Sequence, residues 1–162
     1  MTDPRVRQNY WAILVATIAC FILEAVWYSM FLQVWLRGID RTLESLVQAG
    51  KQAGMNEWMQ YGVALVCTAL IAISISCVTQ LTGAQTAMRG IKVGVLLWAG
   101  FVATTLATEY AFEVRPMSLF GINAGFWLLG MMLMGAIVGA WKRKPAEARA
   151  GAAQPSGVRL AQ

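Results

Sequence analysis

Histidine is absent from the 162 residues, and charge is scarce: Asp, Glu, Lys and Arg together make up 13% of the chain. Without histidine there is no imidazole general base, no histidine-based catalytic triad and no histidine-ligated haem. A soluble domain carries about 25% charged residues. The shortfall, with 58% hydrophobic residues beside it, points to a chain built for lipid. The three cysteines, Cys20, Cys67 and Cys77, form no C-x-x-C pair. Cysteine in apolar surroundings behaves as a small hydrophobe, so no disulfide, metal site or cofactor is expected.

Where charge is missing, spans are expected. Glu24 is the only charge between Arg7 and Arg37, and none occurs from Trp58 to Met88 or from Pro116 to Trp141. About 20 apolar residues cross the hydrocarbon core as a helix. The expected spans are Tyr10–Leu36, Trp58–Leu81, Ile91–Phe112 and Met117–Trp141, an all-α integral membrane domain over 10–141. The third is the least clean. Its uncharged core, Val93 to Thr108, covers only about 24 Å at 1.5 Å per residue. Lys92 and Glu109 must therefore lie near the boundaries, Lys92 snorkelling on its long stem. The N-terminal pattern of arginines before an apolar run imitates a signal peptide, but the run is too long and no small-residue cleavage site follows. It reads as an uncleaved first span.

Four spans put both ends on one side. That side holds Arg5, Arg7, Arg89, Lys92, Lys142, Arg143, Lys144, Arg149 and Arg159, and the other holds Arg37, Arg41, Lys51 and Arg115. The positive-inside rule then places residues 1–9 and the tail, 142–162, in the cytoplasm. The tail is basic, rich in Ala, Gly and Pro, and expected to be disordered. Its charge is an orientation signal and needs no nucleic acid as partner.

The one long connection, residues 39–54, places Ile39, Leu43, Leu46, Val47 and Gly50 on one helical face. A short amphipathic helix on the membrane surface is expected, with Asp40 as N-cap and Gly50 or Gly54 as stop. A helix that docks a partner is the alternative. Ser118 is expected to cap the fourth span after Pro116.

Small residues at four-residue spacing let helix backbones approach closely. Gly121, Gly125, Gly135 and Gly139 lie on one arc of the fourth span, with Trp127, Met134 and Trp141 facing away. Gly90 and Gly94 open the third span, and their face is projected onward to Phe101, Thr104 and Thr108. These glycines serve internal packing or self-association.

Four polar side chains form a candidate intramembrane site: Glu24, Tyr28, Glu109 and Asn123. Glu109 and Asn123 fall at similar depth across the last hairpin and are expected to share a hydrogen bond. Glu24 lies nearer mid-bilayer with Cys20 and Tyr28 on its face, and Tyr28 is placed to donate to it. A carboxyl there is expected to be neutral, turned towards protein and hydrogen-bonded, since facing lipid with a charge costs about 2.5–3.5 kcal/mol.

The segment LTGAQTAMRGIKVGVLLWAGFVATTLATEYAFE, followed by INAGFWLLGMMLMGAIVGAW, resembles a bacterial family of four-span membrane proteins catalogued as domain of unknown function 1761. VWYSMF with Trp35 is similar to that family's first-span signature. The likeness covers roughly residues 9 to 141, is specific in the second half and loose in the first loop. It implies a four-helix fold in a bacterial inner membrane and brings no activity. Glu113, Asn123 and Gly125 match the family's pattern, and the resemblance implies a structural role for them at the outer end of the last hairpin. Position 24 is usually glycine in the family and position 109 often neutral, so neither glutamate inherits a role.

Three classes of function are then in view. A non-enzymatic homo-oligomer or accessory subunit of a membrane complex fits the glycine faces and the lack of catalytic groups. A small proton-coupled transporter would use Glu24 as the exchanging carboxyl, with Trp27 and Tyr28 available to a cation. An intramembrane enzyme fits worst. The Ser and Thr residues of the second span have no His or Lys base near them and are expected to bond back to their own helix.

Overall fold

The computed structural model describes residues 8–83 and 85–141. The expected basic tail, 142–162, lies outside the described residues, as do residues 1–7. Five helices follow in order: α1 (Tyr10–Gly38), α2 (Leu43–Gln52), α3 (Glu57–Leu81), α4 (Ala87–Phe112) and α5 (Met117–Ala140). No strand occurs among the described residues. Four of the helices, α1, α3, α4 and α5, are long and apolar enough to cross a membrane. At 1.5 Å per residue each reaches at least about 36 Å, more than the ~30 Å hydrocarbon core requires.

Local chemistry sets the ends. Asn9, Asn56 and Thr86 cap α1, α3 and α4, their side chains accepting from Ala12, Met59 and Arg89 N–H groups. The cap at Thr86 starts α4 four residues earlier than charge counting indicated, and Lys92 lies exposed on its second turn. Asp40 is not an N-cap. It sits in the left-handed region (φ 53°) at the close of α1, where Asp40 N–H bonds to Arg37 and Arg41 N–H to Leu36. This is the Schellman arrangement. Helix α2 therefore begins later, at a reciprocal capping box between Thr42 and Ser45. Gly54 (φ 67°) closes α2 in the same way, with Met55 N–H on the Gly50 carbonyl. Ser118 caps nothing: Pro116 occupies the N-cap of α5 and no side chain completes it.

The centre of the molecule is α5, packed on α1, α3 and α4. Its burial on several sides explains why Met134, expected to face away, is fully buried. The core gathers Ile13, Ala16 and Cys20 from α1, Ala72 and Ile75 from α3, Val93 from α4, and Phe126, Met131, Met134 and Val138 from α5. Nearly all of it lies toward the end that carries the chain termini. There Asn9 Nδ2 donates to the Trp141 carbonyl at 3.2 Å, so the start of α1 meets the end of α5.

At that end α4 and α5 touch backbone to backbone. A Cβ added at Gly90 would fall on the Gly135 carbonyl, one at Gly94 on the Met131 carbonyl, and one at Gly139 on the Thr86 carbonyl. Toward the opposite end α3 and α4 open outward, while α1 and α5 stay packed: Leu36 and Leu119 are buried there, and Leu119 lies against Gly38. No residue of α3 from 57 to 67 is buried, and none of α4 from 98 to 112.

Candidate functional site

The polar cluster is built on α5. Asn123 Oδ1 accepts from Tyr28 Oη of α1 at 2.8 Å, and Asn123 Nδ2 donates to Tyr110 Oη of α4. One amide thus joins three helices. The backbone on either side of it is held as well. Trp27 Nε1 donates to the Ile122 carbonyl at 3.1 Å and Trp98 Nε1 to the Ala124 carbonyl at 2.9 Å. These carbonyls lie inside α5 and have a second lone pair free for such a bond. The rings pack around the polar atoms: Tyr28 lies 5.5 Å from Phe126 and 5.9 Å from Trp35, and Tyr110 lies 6.3 Å from Phe120.

The structure brings together two of the four expected residues, Tyr28 and Asn123. The other two stand apart. Tyr28 reaches across to α5 rather than along its own helix, so the expected Tyr28–Glu24 bond is not made. Glu24 is half-buried and has no hydrogen bond or ion pair among the described residues. Glu109 is exposed, and its expected place beside Asn123 is taken by Tyr110.

The cause lies in α4. Residues Trp98–Ala103 form a π-helical segment. On a regular helix, residues four apart drift about 40° per step, which is why Phe101, Thr104 and Thr108 were projected onto the face of Gly90 and Gly94. The wider π turns take up that drift. Gly90, Gly94, Trp98, Val102, Leu106 and Tyr110, each four residues on, all turn inward, while Phe101, Thr104, Thr108 and Glu109 turn out. Thr104 and Thr108 bond back to the Gly100 and Thr104 carbonyls.

The glycines divide likewise. Gly90, Gly94, Gly135 and Gly139 form the α4–α5 seam, and Gly125 lies against the Trp27 ring, 3.3 Å from a notional Cβ. Gly121 meets nothing within 4 Å. The sequence reading missed Gly130, whose notional Cβ sits 3.0 Å from Cys20 Sγ. It also missed Trp27, Trp98 and Tyr110 as bonding residues. Four-residue spacing back from Tyr110 to Gly90 was the available signal. Among the described residues no three His, Cys, Asp or Glu side chains gather in a way that could hold a metal ion.

An all-helical chain with four long apolar helices, three of them joined by an Asn–Tyr–Trp cluster near the start of α5, is the class that fold and site define. The sequence profile of the family described as protein of unknown function (DUF1761) matches residues 11–139, and the chain belongs to that family. No curated protein and no solved structure matches the chain.

Proposed function

We propose that the chain is a four-span protein of a bacterial inner membrane. It performs no chemistry of its own and works as a homo-oligomer or as an accessory subunit of a larger membrane complex. The observation that carries this reading is the use of the interior polar groups. Asn123, Tyr28, Tyr110, Trp27 and Trp98 are all engaged in joining α1, α4 and α5 to one another. Polar groups so occupied act as interhelical glue. Extraction from native membranes in a mild detergent, followed by mass measurement of the intact particle, tests it. A stoichiometric partner or a multiple of the chain mass is expected. A lone monomer with no partner, in native lipid discs as well as in detergent, would refute it. In such an assembly Glu24 bonds across a contact with another chain, and Glu24→Gln leaves the assembly intact, because an amide there can make the same bond.

A second reading rests on Glu24, which is half-buried yet unbonded in its own chain among the described residues. A carboxyl held that way inside a span is a candidate exchanging group for a proton-coupled carrier. Uptake into proteoliposomes under a pH gradient, lost in Glu24→Gln, is what this reading expects. Equal flux in the wild type and in Glu24→Gln removes it.

A further inference from the structure

Helix α2 is formed and unused. Its capping box closes the N-terminus, Glu44 lies in its first turn, Lys51 in its last, and Gly54 ends it, each placed as helix termini favour. Little packs around it: no residue of α2 is buried, although Gln60 of α3 reaches toward Gly50. Leu43 is 58% exposed and Val47 39%, and both lie on the same face as Leu46 and Gly50. The opposite face carries Glu44, Gln48, Lys51 and Gln52. A self-standing amphipathic helix with an open apolar face calls for an occupant.

The tethers say which. Four residues, 39–42, join α1 to α2, and four, 53–56, join α2 to α3. Both linkers are folded tight by the Schellman bonds of Arg41 to Leu36 and Met55 to Gly50. Helix α2 is therefore held level with the ends of two helices long enough to cross a bilayer. At the same level the structure exposes Trp58 (83%) and Met55 (42%), together with Arg37, Arg41 and Lys51. Exposed aromatic, apolar and basic side chains gathered at one height match the chemistry of the headgroup–acyl boundary. We infer that α2 is an interfacial helix whose Leu43–Val47 face inserts into the lipid leaflet at the far end of the bundle from the termini. This rests on the four-span reading above.

Spin labels at single introduced cysteines test it in lipid nanodiscs, in a Cys67→Ala, Cys77→Ala background. Positions 43 and 47 sample the apolar face, 44 and 48 the polar face, and 66, exposed on α3, serves as a span reference. Labels at 43 and 47 are expected to collide several-fold more with oxygen than with a water-soluble nickel chelate, and labels at 44 and 48 to show the reverse. Equal nickel access at all four positions, with 66 still reading lipid, overturns the inference and leaves the spans standing. Labels at 43 and 47 shielded from both reagents overturn it in favour of a protein partner or a second copy. Nickel access at 66 refutes the four-span reading itself.

Discussion

At the residue scale, close contact and bonding separate glycines and polar groups that look alike in the sequence. Gly90 and Gly121 both sit in small-residue patterns, yet a methyl group at Gly90 meets the Gly135 carbonyl and one at Gly121 meets open space. Gly90→Ala is expected to destabilise by about 1–3 kcal/mol, the ordinary cost of overpacking, whereas Gly121→Ala stays within about 0.5 kcal/mol of the parent. Denaturant titration in mixed micelles, followed by tryptophan fluorescence, reads both. A similar contrast holds for the amide. Tyr28→Phe keeps the ring on Phe126 and loses only the bond to Asn123. A double-mutant cycle of Tyr28→Phe with Asn123→Ala should return a coupling of about 0.6–1.7 kcal/mol, the range of interhelical bonds in membranes. A coupling near zero would show that the bond contributes nothing to the fold. Asn123 was legible in the sequence because an amide inside an apolar run stands out, and Tyr28 because it shares a helical face with Glu24. Tyr110, Trp27 and Trp98 were not, because a Tyr or Trp in such a run reads equally well as packing.

At the scale of the element, the charge-free runs made α1, α3 and α5 legible to within two residues at each end. The errors came where backbone conformation overrides side-chain type. Asp40 has the chemistry of an N-cap but adopts the left-handed conformation that closes α1, and no residue count reveals that. The π segment of α4 is the larger case. Nothing in the composition of Trp98–Ala103 announces a change of helical pitch, and that change decides which residue of the outer half meets Asn123. Deleting Gly100, which touches nothing within 4 Å, is expected to let α4 revert to regular winding. A π segment is how a helix absorbs one extra residue, so removing that residue restores α winding with the outer half in place and Tyr110 still on Asn123. In the deletion background, the coupling between Tyr110→Phe and Asn123→Ala should keep its parental size while the Gly90–Gly135 seam persists. A coupling that falls to near zero would show that the outer half needs the π turns to find Asn123.

At the scale of the whole molecule, the four long helices are locked together at one end, α3 and α4 part from the packed α1–α5 pair at the other, and the two ends carry different charge. Backbone contacts at Gly90, Gly94 and Gly139, together with the Asn9–Trp141 bond, gather the locked end. Arg89 and Lys92 sit at that end of α4, and the chain termini bring in most of the remaining Lys and Arg. At the parted end Arg115 is paired with Glu113, which leaves Arg37, Arg41 and Lys51 to offset Asp40, Glu44, Glu57 and Glu109. Basic residues near span ends fix orientation by resisting translocation, so the locked end is the one expected to stay in the cytoplasm. Reporter fusions settle the matter. Fluorescent protein fused after Gln162, which keeps the basic tail, should mature, since it folds only on the cytoplasmic side. Alkaline phosphatase fused after Gly54 or Val114 should be active, since it folds only outside. The inverse pattern would place the parted end, with α2 and its apolar face, against the inner leaflet. A pattern split between the two fusions would mean that one of the four apolar helices does not cross at all.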